Sequence, residues 1–130
     1  MTVPKVPAWE QAGRSIYSTA RVHSINPSRL LHYLGIFGNC TGYYYFIAAL
    51  SLMEHSPGRK VMMTKEVYPV IARQYGSTPA GVERAMRTAM HRVWAQFPEK
   101  IEEIAGGPLA KRPTLGAFLY ILADFCRENK

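Results

Sequence analysis

The chain reads as an all-α domain, a compact bundle of about six helices, and three observations carry that reading. Apolar residues recur at offsets of three and four, most cleanly at Val82, Met86, Ala89 and Val93. No stretch alternates with the period of two that a half-buried strand requires. Helix punctuation separates the periodic stretches: Asn26-Pro27 and Thr78-Pro79 as entries, Gly76 and Gly106-Gly107-Pro108 as stops. With 130 residues, 48% apolar and 19% charged, the chain can bury one core without disulfides or metals.

In chain order, residues 1–25 are an N-terminal extension. Pro4 and Pro7 make its start extended, and Trp9, Ile16 and Tyr17 suit either a short docked helix or a loose tail. Residues 26–130 form the domain. Asn26 caps a helix from Pro27 to about Ile36 that turns Leu30, Leu31 and Leu34 inward, with Gly35, Gly38 and Asn39 ending it. Thr41 caps the next helix, Gly42 to about His55. It is apolar nearly all round and so belongs at the centre of the domain. Within it, Tyr43-Tyr44-Tyr45-Phe46 runs round the circumference and reads as packing.

Ser56 to Lys60 is a turn. Thr64 caps a third helix with Val67, Tyr68, Ile71 and Tyr75 at helical spacing, and Pro69 falls in its first or second turn, where proline costs least. Gly76 stops it. Ser77 or Thr78 caps the fourth helix, whose apolar stripe Val82, Met86, Ala89, Val93 is extended by Met90, Trp94 and Phe97. A short acidic helix follows Pro98. The last helix runs from Thr114 to about Glu128, with Phe118, Leu119, Ile121, Leu122 and Phe125 inward.

Composition narrows the function. Residues 1–55 carry four Lys/Arg and two Glu, a balance of +2. Residues 56–96 carry seven against two, +5, and residues 97–130 carry five of each sign. The excess therefore sits on the third and fourth helices, where a polyanion would be met. Cys40 and Cys126 lie far apart in apolar settings and read as buried, reduced thiols rather than a zinc site. The start, MTVPKVPAWEQ, has no signal-peptide core, and the run from Tyr43 to Met53 is too short to span a bilayer. A cytoplasmic protein without membrane contact is expected. The four histidines have no metal-ligand spacing, and no phosphate loop or nucleophile motif is present. Neither an enzyme, a cofactor nor a small-molecule substrate is expected.

Two helices joined by the tight Tyr75–Thr78 turn, the second opening with polar and charged residues, have the layout of a helix-turn-helix. On the recognition helix, about residues 78–96, Ala80, Arg84, Arg87 and His91 share a stripe oblique to the core face. Glu83 and Arg84 lie in the first turns, from which side chains reach base edges. Arginine can fork onto guanine, and a carboxylate can accept from the cytosine amino group. Arg87 and His91 lie further along, suited to a flanking base or a phosphate. Lys65, Arg73, Ser77, Thr78, Thr88, Arg59 and Lys60 are the remaining candidate phosphate contacts, which position without specifying. The competing reading of Glu83 and Arg87 is an ordinary i, i+4 surface ion pair.

Several blocks resemble the C-terminal DNA-binding effector domain of the stage-zero master response regulator family of sporulation. They are Leu34-Gly35-Ile36 with Thr41-Gly42-Tyr43-Tyr44-Tyr45; Thr64-Lys65 with Tyr68-Pro69 and Ile71-Ala72; Val82-Glu83-Arg84-Ala85-Met86-Arg87; Trp94; and Lys111-Arg112-Pro113-Thr114 with Phe118 and Ala123-Asp124. The resemblance spans roughly residues 26–128. It implies a six-helix domain that binds double-stranded DNA at a TGTCGAA-like box, often in tandem copies, as a homodimer or tandem dimer. It also implies base contacts at Glu83 and Arg84, and basic contacts at Arg87 and Lys65. Two positions depart from the pattern: Gly81 stands where the family usually has arginine, and Thr88 where histidine is common. Glycine at 81 is expected to weaken the helix by about 1 kcal/mol relative to alanine. The residues before the match are too few for the family's receiver domain, so a free-standing effector that competes with or modulates a full-length relative is expected. The alternative is a protein-interaction module of the same fold that has lost DNA binding.

Overall fold

A computed structural model describes residues 26–55 and 61–128. The expectations for the N-terminal extension, and for the Ser56–Lys60 turn with Arg59 and Lys60, lie outside the described residues. Within them the chain is all-helical: α1 (Pro27–Tyr33), α2 (Thr41–Glu54), α3 (Tyr68–Tyr75), α4 (Pro79–Gln96), α5 (Pro98–Ala105) and α6 (Leu115–Glu128). A single π turn, Met63–Val67, leads into α3. Among the described residues no helix is long and apolar enough to cross a membrane.

Three helices close in the same way. Gly35, Gly76 and Gly106 all take positive φ, and the next residue's N–H returns to a carbonyl in the last turn: Ile36 to Leu31, Ser77 to Ala72 and Gly107 to Glu102. This closure satisfies carbonyls that would otherwise be orphaned. It also shortens the first helix relative to expectation. The Leu34 N–H is already shared between the Leu30 and Leu31 carbonyls, and Gly35 turns left-handed, so α1 ends at Tyr33.

Two expected caps are corrected. Thr41 is the first residue of α2 rather than its cap, because the extended cap position belongs to Cys40, which makes no side-chain capping bond. Thr64 lies inside the π turn. Pro69 has no N–H to give, and its ring would press on the carbonyl four residues back. The widened turn accommodates this, with the Tyr68 N–H bonding five residues back to the Met63 carbonyl. By contrast Asn26 caps α1 through Oδ1 to the Ser28 N–H at 2.8 Å. Thr114 Oγ1 accepts from the Ala117 N–H at 3.1 Å at the start of α6.

α2 is central, as its composition implies, packing against α1, α3, α4 and α6. Its Phe46 is fully buried and meets Phe118 of α6 edge-on, with ring centroids 5.7 Å apart. Of its aromatic run, Tyr43, Tyr45 and Phe46 are buried and Tyr44 is exposed. Tyr75 is more exposed than its spacing suggested and rests its ring edge on Tyr45, while Ile121 is half-buried. Neither Cys40 nor Cys126 is in a disulfide, and both are half-buried, not fully buried.

The crossing of α2 and α4 depends on Gly42. A Cβ there would lie 3.0 Å from the Ala85 carbonyl oxygen and 3.5 Å from the Ala89 Cβ. The obstacle is backbone, so it cannot rotate away. Gly42→Ala is expected to cost about 1–3 kcal/mol by forcing the helices apart, read as a lower urea midpoint at unchanged m-value.

Candidate nucleic-acid interface

α4 is held from below by its apolar stripe. Val82, Met86, Ala89, Met90 and Val93 are buried against the other helices, which fixes the roll of the helix about its axis. Trp94 and Phe97 extend this stripe only as half-buried side chains. The helix start is equally defined. Thr78 is the cap, its Oγ1 accepting from the Gly81 N–H at 3.0 Å, and Pro79 occupies the first helical position. A bare Cβ on Gly81 would lie 3.0 Å from Ser77 Oγ and 3.1 Å from Thr78 Oγ1. A side chain at 81 must therefore push these two hydroxyl oxygens, one of them the cap, aside by a few tenths of an ångström. The advantage of alanine in a helix interior does not transfer in full to this first-turn position.

With the apolar face buried, Ala80, Arg84, Thr88 and Arg92 are exposed, and Glu83, Arg87 and His91 are half-buried. Two clefts flank the helix. One, toward the α1–α2 connection, is bounded by Phe37, Asn39, Cys40 and Thr41 opposite Gly81, Arg84, Thr88 and Arg92. The other, toward the α5–α6 connection, sets Thr64, Tyr68, Arg112 and Thr114 opposite Glu83, Arg87 and His91. The stripe expected from spacing is thus divided: Arg84 faces one cleft, Arg87 and His91 the other. Arg112 and Arg92 were absent from the expected contacts. Arg112 is brought in from a distant loop, and Arg92 is visible in sequence only as the i+4 successor of Thr88.

Glu83 and Arg87 form the i, i+4 ion pair, Oε2 to Nη1 at 3.1 Å, each side chain 42% exposed. At that exposure the pair is worth about 0.3–0.5 kcal/mol. A base contact worth about 1–3 kcal/mol outweighs it, so the pair holds both side chains in place without locking them. Beneath it, burial and then the Glu83 carboxylate push Tyr68 up to about 12, with Arg87 partly opposing. Tyr68 therefore stays a neutral phenol at physiological pH.

His91 is shifted below its ordinary 6.5, first by partial burial, then by the Arg112 and Arg87 cations. The unfolded chain therefore binds this proton more readily than the folded one. The resulting stability is fully present above pH 6.5 and is lost as pH falls through the lowered folded value. Side-chain NMR titration is expected to give His91 a midpoint below 6.5, moving upward in Arg112→Gln. An unmoved midpoint would separate His91 from the Arg112 loop.

Lys65 is exposed in the π turn, Arg73 on α3, and Ser77 and Thr78 in the turn between α3 and α4. None of these four is among the residues lining the two clefts. The arrangement can present cations and one carboxylate to a polyanion from a rigid helix.

A family model described as sporulation initiation factor Spo0A C terminal matches residues 28–125. No solved structure matches the chain.

Proposed function

Because the chain belongs to the Spo0A C-terminal family of DNA-binding regulatory domains, we propose that it regulates transcription by inserting α4 into the major groove of a TGTCGAA-like box. Glu83, Arg84 and Arg87 read bases. Lys65, Arg73, Ser77, Thr78, Thr88 and His91 meet phosphate, and Arg59 and Lys60 add charge. The observation that carries this reading is Arg84. It stands exposed in the second turn of a helix whose roll is set by five buried side chains, and no carboxylate pairs with it among the described residues. A guanidinium so placed is free to fork onto a guanine edge. Two boxes in tandem would seat two copies of the domain.

The test is fluorescence-anisotropy titration of a duplex bearing two such boxes, beside a scrambled duplex, at several salt concentrations. Preference for the boxes of tenfold or more, about 1.4 kcal/mol, with steep salt dependence, supports the reading. Gly81 is the observation that favours a second one, a protein-interaction module without DNA binding, since it removes a side chain from the reading end of the helix. Absence of binding to either duplex at low salt would select that alternative.

A further inference from the structure

The two clefts beside α4 differ in charge, and the difference points to a second phosphate site. In the cleft toward the α5–α6 connection, Glu83 offsets part of the positive charge through its pair with Arg87. The cleft toward the α1–α2 connection holds Arg84 and Arg92 and, among the described residues, is lined by no acid. Among the described residues Arg92 has one weak contact, Nη2 donating to Cys40 Sγ at 3.5 Å. A thiol is a poor acceptor and leaves the guanidinium's donors largely unused. Opposite the two arginines stand Asn39 and Thr41, neutral side chains able to donate hydrogen bonds. Phosphodiester oxygens are what such a set matches: cations in a fork geometry, neutral donors and no competing carboxylate.

Spacing along the helix says where the phosphate would lie. Arg92 follows Arg84 by two turns and a fraction, about 12 Å along the axis. The major groove is about 12 Å wide and is walled by a sugar–phosphate strand on each side. When Arg84 stands at the depth of the bases, Arg92 stands at the rim beside one wall. We propose that the cleft between α4 and the α1–α2 connection grips the DNA strand on that side, with Arg92 as its principal cation and Asn39 and Thr41 as neutral donors. This assignment rests on the DNA-binding reading of α4. It extends the interface beyond the helix-turn-helix to the start of α2.

The experiment compares the whole chain with Arg92→Gln on the two-box and scrambled duplexes across a salt series. Arg92 is exposed, so the thermal midpoint of the variant should match the parent and is checked first. Loss of one charge-assisted hydrogen bond is expected to weaken binding to both duplexes by the same factor, about tenfold. The salt slope should fall by about one while the preference for the boxes is kept. Duplexes carrying a neutral methylphosphonate at single positions then locate the contact. One position should weaken the parent and leave Arg92→Gln unaffected. An unchanged salt slope, or methylphosphonate penalties that add to the variant's at every position, would overturn the assignment while leaving the reading of α4 intact. If the parent binds neither duplex, both fall together.

Discussion

Arg84→Ala is expected to bring affinity for a TGTCGAA-like duplex down toward that for a scrambled one, a loss of about 1–3 kcal/mol of discrimination, or roughly five- to 150-fold. The size follows from placement. Arg84 projects from the solvent face of α4 at a roll set by Val82, Met86 and Ala89 beneath it, and on the proposed reading that roll aims its guanidinium at one base step. Its alanine variant leaves no buried group unsatisfied, because Arg84 has no partner among the described residues, and the fold should be unaffected. Arg73→Ala is the contrast. Placed as a phosphate contact, it should weaken both duplexes alike and leave their ratio unchanged. If Arg84→Ala also lowers both affinities equally, Arg84 touches backbone and the base-reading role passes to Glu83 and Arg87. Glu83→Ala is less clean, since it also releases Arg87 from its 3.1 Å pair.

Phe46→Ala is expected to cost about 3–5 kcal/mol of folding free energy, against the ~5–15 kcal/mol that a domain commonly has. Phe46 is fully buried in the central helix and edge-on to Phe118, so the variant loses the transfer of the ring, an aromatic contact and the packing around it. The remaining void is flanked by other fully buried side chains with little freedom to collapse. Urea denaturation should show the midpoint falling by a large fraction of its value. DNA affinity measured at low temperature, where the variant remains folded, should change little, because Phe46 belongs to neither cleft. Tyr44→Ala, two residues away and half-exposed, should stay within about 0.5 kcal/mol. A Phe46→Ala cost no larger than that of Tyr44→Ala would mean that α2 is not the centre of the core.

The helices and the helix-turn-helix were legible because their signals are local. Periodicity, an asparagine or threonine ahead of a proline, and a glycine at a left-handed stop each act within a few residues of where they stand. The expectations that missed were boundary details decided by competition between neighbours. Thr41 and Thr64 are good capping types, but the extended backbone that defines the start of α2 lies one residue earlier. Ahead of α3, Pro69 imposes a π turn that no capping rule foresees. Glu83 and Arg87 were recognisable both as base-reading candidates and as an ion pair, and the pair is what forms in the unbound chain.

By itself the sequence determined the fold class, the order of the helices, the family and the helix that carries the exposed cations, since each of these is encoded in contiguous residues. Only the tertiary structure decided how those cations are shared out. Gly42 lets α2 approach the Ala85 backbone, setting α4 with Arg84 and Arg92 toward the α1–α2 connection. The packing of α6 on α2 and α4 brings Arg112 beside Arg87 and His91. Arg112 reaches that cleft from a different loop, and electrostatic neighbourhood depends on distance in space, which spacing along one helix cannot supply.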